Sequence, residues 1–157
     1  MEKSDAQIAD AKKHLDIAHH MLTITYPAVQ DNRLLLSIIE NLQKAQEAAI
    51  TAFLDHERQY KRVPPFHTSF DAKLATLKFK CPDPPVDDED FRAIQQINEV
   101  IQNHKDSPFE FSRNDKFVIC SGHQDFRSIS KENTKDFLQS TRRILQKVQQ
   151  RIDEDDV

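Results

Sequence analysis

Leu34-Leu35-Leu36-Ser37-Ile38-Ile39-Glu40-Asn41-Leu42-Gln43-Lys44-Ala45-Gln46-Glu47-Ala48-Ala49-Ile50-Thr51-Ala52-Phe53-Leu54 contains neither glycine nor proline, and its apolar residues recur every three or four positions. Leu35, Ile38, Leu42, Ala45, Ala49 and Ala52 fall on one line of a helix, and Ile39, Ala48 and Phe53 widen that face. Asp31 or Asn32 is placed to cap its start, and the pattern holds to about Lys61. A helix of that length spans roughly 45 Å, and its alanines allow a neighbouring helix to approach closely.

The flanking sequence repeats the theme. Ile8, Ala11, Leu15, Ala18 and Leu22 form a narrow stripe on a first helix. Ser4 and Gln7 read as its capping box, and Pro27 as its end. After the Pro64-Pro65 break, Phe70, Leu74 and Leu77 share a face of a short helix over 69–80. Asp87 and Asp88 follow Pro82, Pro84 and Pro85 and open another helix, where their charge meets the positive end of the helix dipole, with Phe91, Ile94, Ile97 and Ile101 inward. From residue 109 the period becomes two. Phe109-Glu110-Phe111, Phe117-Val118-Ile119-Cys120 and 126–129 read as strands separated by turns at 112–115 and 121–125. The last helix starts near Ser130 and carries Phe137, Thr141, Ile144, Val148 and Ile152 into an acidic tail, Asp153–Asp156, that reads as a solvated end.

Gly122, the only glycine in 157 residues, falls in the second of those turns, where a hairpin favours positive φ. An average chain is about 7% glycine, so glycine-lined phosphate loops and nucleophile elbows are excluded here. These features predict a mainly α, single domain over 1–157. Its architecture is an antiparallel four-helix bundle with a β-hairpin or meander over about 109–129, inserted before the last helix.

The chemistry-bearing residues are sparse. Cys81 and Cys120 match no metal-ligand spacing and read as reduced thiols of a cytoplasmic protein. No stretch is apolar enough for a membrane span. His14, His19 and His20 lack the repeated Glu-x-x-His pattern of a di-metal bundle, so no metal and no cofactor are expected. Ser121-Gly122-His123-Gln124-Asp125 places a serine, a histidine and an aspartate within one turn, whereas a catalytic triad converges across a fold. Arg143, Lys147 and Arg151 lie four residues apart on the last helix. That stripe reads as a salt-bridged, solvated face, with contact to nucleic-acid phosphates as the alternative on a chain of net charge −4.

The segment 40–54 resembles the central alanine-rich helix of the HEPN helical-bundle superfamily, a similarity that covers about 50 residues from the first helix through the proline break. The resemblance implies a small prokaryotic domain that dimerises through its helices. In the family's ribonucleases an Arg-x4–6-His motif meets the scissile phosphate, and the formal match here is Arg62-Val63-Pro64-Pro65-Phe66-His67. This match follows the second helix, is interrupted by two prolines, and has no counterpart in the last helix, which contains no histidine. The expectation is therefore a non-catalytic binding or assembly module, homodimeric or with a protein partner. The alternative is a HEPN-like ribonuclease or RNA-binding protein acting through Arg62 and His67.

Overall fold

Arg33–Gln59 forms the longest helix, and 14 of its 27 residues are buried, so no single neighbour can cover it. The computed structural model describes residues 2–107, 109–120 and 126–156. In chain order the helices are α1 (Glu2–His20), α2 (Tyr26–Val29), α3 (Arg33–Gln59), α4 (Phe70–Ala75), α5 (Asp88–Asp106) and α6 (Lys131–Asp155). Strands β1 (Phe109–Arg113), β2 (Lys116–Cys120) and β3 (Phe126–Ser130) lie between α5 and α6.

Side-chain pairs fix the helix directions. Gln7 Nε2 donates to Asp55 and His14 meets Asn41, so α1 runs antiparallel to α3. Gln46 Nε2 donates to Thr141 and His56 meets Asp155, so α3 and α6 run parallel. α5 is antiparallel to α6, since Arg143, Lys147 and Arg151 meet Asp90, Asp87 and Asp83 in turn. Consecutive long helices thus alternate in direction, and the well-packed α3–α6 pair is parallel. α1 packs on α3 and on α6, and α5 on α3 and α6.

The helix starts follow the sequence in three cases. Ser69, Asp87 and Ser130 all accept the backbone N–H of the residue three positions on, and Asp87 and Ser130 complete capping boxes with Asp90 and Asn133. The first helix departs from expectation. It begins at Glu2, and Ser4 is buried with an unpartnered hydroxyl while Gln7 reaches α3, so Ser4 and Gln7 form no capping box.

Pro27 does not end this helix either. The chain widens into a π-helical turn over Met21–Thr25 and continues through Val29. A proline lacks the N–H and its ring crowds the carbonyl four residues back; a wider turn before it relieves both problems. Reversal comes at Gln30, in the left-handed region at φ 56°. Lys61 and Asn114 take the same conformation, so polar residues occupy turn positions where glycine is common. The Gly122 turn and the Ser121–His123–Asp125 grouping lie outside the described residues.

The three strands form an antiparallel sheet in the order β1-β2-β3. The period-two reading is correct in kind, and each strand extends by one or two residues beyond it. Phe117, Ile119 and Ile129 point inward to the core shared with α3, α5 and α6. Asn32 holds the sheet to the start of α3. Its side chain accepts from the Tyr26 hydroxyl at 2.8 Å and donates to the carbonyls of Asn114 and Lys116 at 3.0 and 3.2 Å. Asn32 therefore ties the sheet down and does not cap α3; Asp31 instead accepts the Arg33 N–H. Replacing Asn32 by Ala strips one acceptor and two donors from a nearly buried cluster. A loss of about 2 kcal/mol in denaturant unfolding is expected, with the β1–β2 turn amides losing hydrogen-exchange protection first.

Candidate functional site

The three cations of the α6 stripe face the segment that opens α5. Asp90 is fully buried, and as third residue of α5 it returns a bond to the Asp87 N–H. Arg143 Nε donates to Asp90 Oδ1 at 3.0 Å, and the Lys147 ammonium lies 2.6 Å from Asp90 Oδ2 and 3.3 Å from Asp87. Arg151 donates to the Asp83 carbonyl at 2.6 Å. Arg143 and Lys147 are held above their ordinary pKa, chiefly by hydrogen bonding to Asp90. Asp87 is held below its ordinary value by the Asp90 backbone N–H first and by Lys147 next. The stripe's charge is thereby matched within the molecule, which lessens its reach toward phosphates.

Removing the Asp90 carboxylate leaves two cations without their buried partner and takes the return bond from the capping box, while Asp87 still accepts the residue-90 N–H. Asp90→Ala is expected to cost about 1–3 kcal/mol in chemical denaturation. A loss below about 1 kcal/mol would show that Arg143 and Lys147 find adequate partners elsewhere.

Arg62 lies at the opposite end of α3 from the Asn32 contact. Lys61, in the left-handed conformation, turns the chain so that the Arg62 guanidinium comes back over the helix end. Its Nη1 donates to Glu57 at 3.0 Å and to Asp155 at 2.8 Å, and its Cζ sits 4.5 Å from the centre of the Tyr60 ring. Buried His56 meets Asp155 through Nε2 at 2.8 Å. His67 is exposed, and no hydrogen bond or ion pair joins it to Arg62 among the described residues.

Sequence reasoning missed the partners of Arg62. His56, Glu57 and Asp155 bring three potential ligand atoms within 4.8 Å of one another, a spacing compatible with a metal ion. The Arg62 guanidinium already occupies the space between the two carboxylates and supplies their counter-charge. The cluster is thus a completed ionic lock between the ends of α3 and α6, and the acidic tail that reads as a solvated end supplies one half of it.

Hydrogen bonds from Arg62, then His56, lower the Asp155 pKa to about 2. A lowered carboxylate stabilises the fold above its unfolded value of 3.8, and that contribution disappears as pH falls through about 2. Parent and Arg62→Ala are accordingly expected to differ in melting temperature at pH 7 and to converge as pH drops from about 4 toward 2. An unchanging difference across that window would contradict the Arg62–Asp155 pairing.

Two surface features remain. A groove of about 630 Å³ lies between α1 and α6, floored by Leu15 and Leu145 and edged by Lys12, Arg142 and Asp153. The outer face of the sheet differs in kind. Phe109 is 60% exposed, Phe111 37% and Phe126 66%, and strand pairing sets all three on the same face around Val118. The rings of Phe109 and Phe111 stack with centres 6.2 Å apart. Arg113 and Lys116 stand at one end of this face and take part in no ion pair among the described residues.

No family model, curated protein or solved structure matches the chain. Among the described residues no helix is long and apolar enough to cross a membrane.

Proposed function

We propose that this chain is a non-catalytic binding and assembly module that works as a cytoplasmic homodimer. Its four long helices serve as a bundle scaffold, and the outer face of the sheet is its contact surface. The exposed aromatic cluster of Phe109, Phe111 and Phe126 carries this reading. Three large rings sharing one small sheet face form a contiguous apolar patch of the kind that marks interaction sites. The helices meanwhile pair their ionic groups internally, at Asp90 and at Asp155, which supports a scaffold role for them.

Replacing Phe109, Phe111 and Phe126 together by Ser tests the reading. The rings face outward, so far-UV circular dichroism and cooperative unfolding should be retained. Self-association measured by sedimentation should weaken by about tenfold for each ring that packs in the interface. Equal association of parent and variant would remove the sheet face from the proposal.

A HEPN-like ribonuclease acting through Arg62 and His67 is the second reading. It is supported by an exposed histidine five residues from an arginine, on the loop that follows α3. The histidine would move a proton near neutral pH while the arginine steadies phosphate charge. Cleavage of single-stranded or structured RNA that is abolished by His67→Ala, in a variant that stays folded, would establish it. Because Arg62 is engaged by Glu57 and Asp155, we expect no cleavage by the parent.

A further inference from the structure

Granted the homodimer proposed above, on which this inference rests, its seam lies along the β1 edge of the sheet, which Phe109 and Phe111 flank. β1 is an edge strand, and among the described residues it packs extensively only against β2. A two-residue turn, Asn114-Asp115, joins the two and makes Arg113 and Lys116 a directly hydrogen-bonded pair. Antiparallel pairing alternates, so the N–H and C=O groups of Phe109, Phe111 and Arg113 point toward β2. Those of Glu110 and Ser112 point away, to the open edge. Such an edge is a template for another strand; β1 holds no lysine or proline, and of its two charged residues Glu110 is already engaged by His104 at 2.7 Å.

We infer that β1 pairs antiparallel with β1 of a second copy, about a two-fold axis at Phe111, joining two three-stranded sheets into one continuous sheet. The strand is complementary to itself in this register. Glu110 faces Ser112 of the partner subunit, and each pair exchanges both backbone hydrogen bonds, with the outward groups of each copy satisfied by the other. Phe111 faces the partner's Phe111. Arg113 faces the partner's Phe109, which lets a guanidinium lie against a ring face. All five residues are paired and no like charges are opposed.

Shifted registers are worse. A shift of one residue at the axis toward the N-terminus sets Glu110 opposite the partner's Glu110, a destabilising like-charge pair. The opposite shift leaves Phe109 facing the partner's turn. The favoured register also merges the aromatic faces of both copies into one surface.

Cysteine cross-linking tests the register. Phe111 would form a non-hydrogen-bonded pair across the axis, with Cα atoms about 4.5 Å apart, inside the range a disulfide accepts. Under mild oxidation Phe111→Cys should link nearly completely into a covalent dimer. Ser112→Cys should link poorly, because its two Cα atoms would be about 8 Å apart along the diagonal. The native Cys81 and Cys120 are buried, and the parent should give no linked dimer.

Ser112→Pro removes the outward N–H without touching the bonds to β2. It should weaken the dimer at least about tenfold, since two symmetry-related hydrogen bonds are lost, while circular dichroism is unchanged. A dimeric parent whose Phe111→Cys variant stays unlinked, or whose Ser112→Pro variant stays equally dimeric, would overturn β1 pairing and leave assembly by another surface standing. A strictly monomeric parent at micromolar concentration would overturn the homodimer itself.

Discussion

The structure depends on the need to cover α3. Leu35, Ile38, Ile39, Leu42, Ile50, Phe53 and Leu54 all have almost no exposed surface, and they are spread around too wide an arc for one partner. Burying apolar surface is worth about 25 cal/mol per Å², so each uncovered side of this helix would forfeit a large part of a margin of roughly 5–15 kcal/mol. Coverage comes from α1, α5, α6 and the inner face of the sheet. The small residues Ala45, Ala49 and Ala52 permit close approach where the neighbours cross.

Polar chemistry follows from this packing. A parallel α3 and α6 bring Glu57 and Asp155 to one end, where Arg62 joins them. An antiparallel α5 and α6 bring the capping box of Asp87 and Asp90 opposite Arg143 and Lys147. These groups align helices and fix their register, and they pair charge within the molecule. The sheet stands apart. Its inner residues belong to the core, whereas its outer face exposes Phe109, Phe111 and Phe126, which is the basis of the contact surface proposed above.

Much of this was legible in the residues. The apolar spacing marks the long helices, Ser69, Asp87 and Ser130 mark their starts, and the change to period two marks the meander. What escaped the sequence has a common physical origin. Asp87 and Asp88 read as complements to a helix dipole, yet the buried Asp90 beside them is the centre of an ion-pair network. Asp155 reads as part of a solvated tail, yet it pairs with a residue 93 positions away. Periodicity reports the face of one helix and says nothing of which end of another helix it meets. The π-helical turn before Pro27 and the role of Asn32 escaped for the same reason, because neighbouring elements decide them.

Native-state hydrogen exchange at increasing denaturant tests the central position of α3 most directly. If the other elements are arranged to cover it, amides between Leu42 and Phe53 should exchange only through global unfolding, with the highest opening free energy in the chain. Those of α1, α5 and the sheet should open at or below that value. Amides of α3 that open well below the global free energy, while those of the sheet or α5 remain protected, would contradict the account.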